Sequence, residues 1–159
     1  MRKIPLTKGK YALIDDEDFE QLNRFRWAVQ KGGNTFYAVR HARIKYRRCG
    51  LLMHRAILGL EYKDGVHTDH IDGNGLNNQR SNIRMCTQQQ NLFNRKSNKG
   101  SSSKYKGIYW DAKKQRWRCR IVIDGEQIHI GTFKSEILAA KAYDEKAKEL
   151  HGEFAKLNF

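Results

Sequence analysis

Residues 66–95, VHTDHIDGNGLNNQRSNIRMCTQQQNLFNR, constrain the fold most. They are too polar to form a core, yet they are punctuated like ordered chain. Val66 to His70 alternates weakly and reads as a strand. Asp72-Gly73-Asn74-Gly75 forces a turn, with Asn77 and Asn78 expected to turn or cap the loop. Ser81 to Cys86 returns as a second short strand. Thr87 can cap a helix running from Gln88 to Arg95, with Leu92 expected to face inward. The unit is therefore strand, loop, strand, helix. Asp69 and His70 stand at the end of its first strand, Asn82 at the start of its second, and Asn91 on its helix.

The side chains gathered there suit one chemistry. Phosphodiester hydrolysis needs an activated water, charge neutralisation at the phosphate and a stabilised leaving oxygen. A neutral histidine takes a proton from water near neutral pH. The Asp69 carboxylate and the Asn91 side-chain carbonyl are oxygen donors for a hard divalent cation, Mg²⁺ or Mn²⁺. Asn82 is expected to orient the His70 ring by accepting its other N–H.

The whole chain is built for polyanions. Its 31 Lys and Arg outnumber 17 Asp and Glu, giving +14 at pH 7, and both halves are basic. Such charge attracts phosphate backbones through counterion release. There is no apolar run long enough to span a bilayer and no signal-peptide core, so no membrane partner is expected. Cys49, Cys86 and Cys119 are odd in number and form no C-x-x-C pair. They are expected to be reduced, packed thiols of a cytoplasmic protein rather than zinc ligands or a disulfide framework.

Upstream, Tyr11 to Ile14 reads as a strand. The acids Asp15 to Asp18 are expected to cap a helix carrying Phe19, Leu22, Phe25 and Trp27 as its apolar stripe. WAVQ and TFYAVRHAR read as a hairpin around Lys31-Gly32-Gly33-Asn34. Arg40, Arg43 and Arg47, interleaved with Phe36, Tyr37 and Tyr46, make either a surface that tracks a phosphate backbone or a solvated strand face. LLMHRAILG reads as a short helix. Its His54 either touches a phosphate or packs the helix. His67 is expected on a strand surface, and His41 and His151 on the plain surface.

Lys96 to Lys104 is rich in Ser, Gly and Lys and reads as a flexible linker, 97–104, between a domain at 1–96 and another at 105–159. Beyond it GIYW, RWRCRIVI and QIHIGTF are three strands, the last two joined at Asp124-Gly125. Period-two alternation puts Trp117, Cys119, Ile121 and Ile123 on one face and Arg116, Arg118 and Arg120 on the other. In the third strand Ile128 and Ile130 are expected to face in, Gln127 and His129 out. Ser135 caps a helix expected to bury Leu138, Ala139, Ala142, Tyr143, Ala147 and Leu150, with Gly152 ending it.

Two resemblances rest on these residues. DHIDGN, LNN, SNIR and QQQNLFNR, with HRAILG upstream, resemble the HNH nucleases in the variant whose last H is Asn. The resemblance implies a ββα-metal core at 66–95, with Asp69 and Asn91 as ligands of one divalent ion, His70 as general base and Asn82 orienting it. IPLTKGKYALIDDEDF ahead of such a core resembles homing endonucleases of phages, free-standing or intron-encoded. YKGI, IGTF, AAKAYDEKAKELHGE and AKLNF are similar to the ethylene-response-factor (APETALA-type) DNA-binding domain. That family implies a three-stranded sheet in the DNA major groove, with Lys106, Tyr109, Arg118, Arg120, Gln127 and His129 on the reading face. It usually carries Arg near Tyr109 and Asp111, Glu near Arg120 and Trp near His129, so groove binding carries over better than any base preference.

The expectation is an α+β protein: a ββα-metal nuclease domain followed by a three-stranded antiparallel sheet backed by one helix. It would cut duplex DNA in the cytoplasm of a phage-infected or bacterial host cell, and it would act on no small molecule. The rivals are a DNA-binding regulator on a relict nuclease fold, which the Asn at 91 favours, and a protein acting on RNA.

Overall fold

Hydrophobic alternation begins earlier than Tyr11, where the pattern first reads as a strand. In this computed structural model, which describes residues 1–43, the Ile44 backbone, and residues 46–95, 97 and 100–159, β1 (Arg2–Pro5) pairs antiparallel with β2 (Tyr11–Ile14). Ile4, Ala12 and Ile14 point into one core. The described residues form an α+β fold with four small sheets, and the chain divides into two compact units, Met1–Gln88 and Gln89–Phe159.

In the first unit α1 (Asp16–Leu22) stops well short of the expected Trp27. Trp27 drops into the core instead and its indole N–H donates to the Leu22 carbonyl at 2.9 Å. Phe25 lies outside the helix, exposed, and the Arg40 guanidinium stacks 3.8 Å above it. The expected hairpin gains a third strand. β3 (Ala28–Gly32), β4 (Thr35–Ile44) and β5 (Arg47–Leu52) form one antiparallel sheet, so Leu51 and Leu52 are strand and not helix. α2 (Met53–Ile57) follows directly and buries Met53, His54 and Ile57. β6 (His67–His70) and β7 (Ile83–Cys86) pair antiparallel across a long loop.

The second unit starts within α3 (Gln88–Phe93). Leu92, expected inward, is half exposed; Phe93 packs in its place, stacked on His151 at 3.6 Å. β8 (Ile108–Asp111), β9 (Arg116–Ile123) and β10 (Glu126–Phe133) make a three-stranded antiparallel sheet with β9 central, and α4 (Glu136–His151) lies against it. The β9–β10 turn puts both Asp124 (φ 51°) and Gly125 (φ 82°) in the left-handed region, as a tight hairpin requires. Ser135 caps α4, its hydroxyl accepting the Leu138 N–H at 3.4 Å.

The core of this unit is Ile108, Cys119, Ile121, Ala139, Ala140, Tyr143 and Ala147. Small alanines bring α4 close to the sheet, and Gly107 closes the gap. Its φ is +78°, and a Cβ there would overlap the Tyr143 ring and come within 2.6 Å of the Arg120 carbonyl. Leu138 is 56% exposed, against expectation. The buried stripe of α4 runs through Ala140, Asp144 and His151 instead. Asp144 accepts backbone N–H groups of Asn158 and Phe159 at 2.8–3.0 Å. Ile128 lies on the expected side but near the sheet edge, 36% exposed, where a bulge between His129 and Gly131 shifts the register. The stretch expected as a linker lies within the second unit and includes Lys96, Asn98 and Lys99, which lie outside the described residues, as does Lys45 in the basic hairpin. Its last serines are ordered: Ser102 accepts the Trp110 N–H at 2.9 Å, and buried Ser103 donates to Glu136 at 2.7 Å.

Candidate active site and nucleic-acid face

The loop between β6 and β7 is fixed from three sides, and its anchors explain the polar sequence. β2 backs it: the Leu13 N–H donates to Leu76 and the Asn78 N–H to Leu13, both at 2.8 Å. The acidic run of α1 grips it. Asp15 makes no side-chain cap, contrary to expectation; it accepts the Arg80 N–H at 2.8 Å and the Gln79 amide at 3.1 Å. Those bonds hold its carboxyl below the usual range, the Arg80 N–H first. Arg80 in turn forks onto buried Asp18 at 2.7 and 3.0 Å. Inside the loop Asp72 collects the Asn74 N–H and the side-chain amides of Asn77 and Asn82, at 2.7–3.0 Å. Burial works to raise the Asp72 carboxyl, but these donors hold it low.

Asn82 is therefore committed to the loop. Its amide donates to Asp72 and to the Asn77 carbonyl at 2.7 Å, and its oxygen accepts the Asp72 N–H at 3.0 Å. The amide at His70 is Asn78, whose Oδ1 stands 3.3 Å from Nε2. The Asn78 amide nitrogen donates to Leu76 at 3.2 Å, so its oxygen is the atom turned to His70. That assigns the proton to Nε2 and makes Nδ1 the basic nitrogen. Sequence reasoning treats Asn78 as a loop cap. The usable signal is its place in a run of asparagines facing an Asp-His pair.

His70 and Asp69 are both buried at the end of β6. Burial pushes the His70 imidazole below its ordinary value, partly offset by Asn78, Asp72 and Asp69. It is neutral near pH 7, as a base must be. The Asp69 carboxylate pairs with the Arg84 guanidinium at 3.0 Å across the β6–β7 ladder. Two rings enclose His70. His54 lies edge to face with centroids 4.7 Å apart, and Tyr37 is 5.8 Å from each histidine. Tyr37 thus belongs to this cluster and not to an outer basic surface. His54 is buried, its Nδ1 has no hydrogen-bond partner among the described residues, and desolvation, then His70 and Arg55, push its pKa down to about 3. Asn91 lies half buried on α3, in the second unit. Among the described residues no group of three His, Cys, Asp or Glu is assembled around a metal position.

On the exposed face of the second sheet, Tyr109 stands beside Arg118, Arg118 beside Thr132, and Arg120 beside His129. The guanidinium carbons of Arg120 and Arg118 lie 4.9 and 5.6 Å from the Tyr109 ring centre. Arg120 also donates to Gln127 at 2.7 Å. Arg116 joins this face next to Asp111, which pairs with Arg118 at 3.6 Å. Lys106 is set apart from it. Its ammonium donates to the Phe93 carbonyl at the end of α3, and burial lowers its pKa to about 8. His151, expected on the surface, is buried and bonded to the Val122 carbonyl at 3.1 Å. In the first unit Arg43 and Arg47 are exposed, while Arg40 is half buried over Phe25.

Comparison with known proteins agrees with both halves. A family model of the AP2 domain matches residues 103–153. An uncharacterized HNH endonuclease of Acanthamoeba polyphaga mimivirus is 31% identical over 155 residues, 95% of this chain and 76% of that one. The chain belongs to the HNH endonuclease family and carries an AP2 domain. Protein 3.8 of Escherichia phage T7 is 35% identical over 94 residues, 58% of this chain and 75% of that protein. An AP2-like ethylene-responsive transcription factor of Arabidopsis thaliana is 34% identical over 65 residues, 41% of this chain but 13% of the plant factor.

Proposed function

We propose that this protein is a site-specific endonuclease of the homing type that hydrolyses phosphodiester bonds in duplex DNA. The observation that carries the reading is His70: neutral, buried beside Asp69, its Nε2 facing an amide oxygen in a loop tied down by Asn82, Arg80 and β2. His70 Nδ1 takes a proton from water as the water oxygen bonds to phosphorus and the bond to the leaving sugar oxygen breaks. Asn82 shapes the loop and Asn78 holds the ring.

A divalent ion, Mg²⁺ or Mn²⁺, fits the donor chemistry, since the residues the motif assigns to it, Asp69 and Asn91, both offer oxygen. When bound, it supplies charge neutralisation at the phosphate and the leaving oxygen. The sheet face of Tyr109, Arg116, Arg118, Arg120, Gln127 and His129 holds the duplex, helped by Arg43 and Arg47. A phage relative and three unpaired cysteines support action in the cytoplasm of a bacterial or phage-infected cell.

One observation favours the regulator reading: the Asp69 carboxylate is already paired with Arg84. Supercoiled plasmid separates the two. The nuclease gives open-circle product with Mg²⁺ and loses it under thorough chelation. His70→Ala abolishes cutting while duplex binding persists. Cutting that survives chelation, or that survives His70→Ala, defeats the proposal.

A further inference from the structure

We infer that His54 is a positioning residue whose ring sets the plane of His70. The inference rests on the reading of His70 as the general base.

Asn78, Tyr37 and His54 all bear on the His70 ring. Asn78 fixes Nε2, Tyr37 covers one flank, and His54 lies edge to face against it, centroids 4.7 Å apart at 80°. His54 is 4% exposed, so it forms a wall and excludes water. The helix that carries it is locked in place from both sides. Met53 and Ile57 of α2 are in the core. Arg55, between them, donates to the Val66 carbonyl at 2.6 Å and the Glu61 carbonyl at 2.9 Å, and also pairs with Asp64. Val66 immediately precedes the strand that carries His70, so Arg55 ties the wall to the residue it faces.

Among the described residues the buried Nδ1 of His54 has no hydrogen-bond partner. The edge-to-face contact is thus one of shape. Tyr37 is held in turn by the loop, because Gly75 passes so close that a Cβ there would fall 2.6 Å from its ring. With the wall removed, His70 keeps Asn78 and Tyr37 but gains room to rotate about χ2. A rotated ring presents the wrong nitrogen to water.

The test uses the full chain with His54→Ala, His54→Leu and His54→Phe. Leu fills the volume without a plane and guards against a collapsed Ala variant. In plasmid nicking, Ala and Leu should lower kcat roughly 10- to 100-fold, as loss of an orienting partner does, with KM changed less than about 3-fold. Phe, which keeps a flat ring, should stay within about 3-fold of the wild type. Ring ¹⁵N–¹H correlations should report one His70 tautomer in wild type and Phe, and a mixture in Leu. An unchanged His70 ring signal and unchanged kcat in Leu overturn the inference. Equal losses in Phe and Ala also overturn it, since the nitrogens would then be what matters. If the wild type does not cut, or His70→Ala still cuts, the general-base reading falls, while the ring spectra still decide whether His54 sets His70.

Discussion

At the scale of single residues, burial keeps histidines neutral in each of the two units. His54, His70 and His151 are all pushed below the ordinary imidazole value, chiefly by desolvation. The unfolded chain takes up protons on them near pH 6.5, while folded His54 resists until about 3. Stability thus rises with pH across that window, is complete above it, and is lost as pH falls. Across that window His54 contributes a slope of about 1.4 kcal/mol per pH unit. The lowered carboxylates, Asp15 and Asp72 among them, add their own loss only at more acid pH. Urea midpoints measured from pH 7 down to 5 should fall, and His54→Phe should flatten the curve; parallel curves refute the assignment. Asn78 makes a second case. It is fully buried and serves both His70 and Leu76. Asn78→Ala should cost about 1–3 kcal/mol of stability through unpaired groups and cut the nicking rate roughly 10- to 100-fold. Duplex affinity, measured separately, should not move. The strand that ends in Asp69 and His70 was legible from the sequence pattern. Asn78 and His54 were not, because their roles come from packing between β6, β2 and α2, which no local pattern encodes.

At the scale of elements, strands were easier to read than helices. Period-two alternation located β8, β9 and β10 and their two faces, since each residue's direction follows from the next. α4 was found with Ala139, Tyr143 and Ala147 on its buried face as expected, but Leu138, apolar and expected inward, is exposed, and the close approach of helix to sheet selects the small Ala140 as well. That approach depends on Gly107, whose left-handed backbone and missing Cβ admit the Tyr143 ring. Gly107→Ala adds a left-handed penalty to an overlap with a ring that cannot move, together roughly 2–4 kcal/mol. Hydrogen exchange at the β9 amides should speed up accordingly, with β6 and β7 unaffected; unchanged exchange at β9 would remove the argument. The acids of α1 teach the same lesson. Their sequence is that of a helix start, yet their partner is Arg80, far along the chain, and a long-range clamp leaves no local trace.

At the scale of the molecule, the question is how a chain of charge +14 divides general attraction from placement. Scattered Lys and Arg attract any duplex, and that part weakens steeply with salt. The sheet face differs, because its arginines are preorganised: Arg118 and Arg120 lie about Tyr109, and Arg120 is held by Gln127. Held guanidinium groups lose less freedom on binding and present flat edges to bases and phosphates. Replacing Arg118 and Arg120 together by Ala should weaken duplex binding and lower the slope of log affinity against log salt by about 0.9 for each phosphate no longer neutralised. The nicking rate at saturating DNA should remain that of the wild type, because neither arginine is part of the unit that holds His70. Binding titrations over a range of salt, paired with single-turnover nicking, separate the two effects. An unchanged salt slope would move the duplex off this face and onto the basic hairpin of β4 and β5. A rate that falls at saturation would instead make the sheet part of the chemistry.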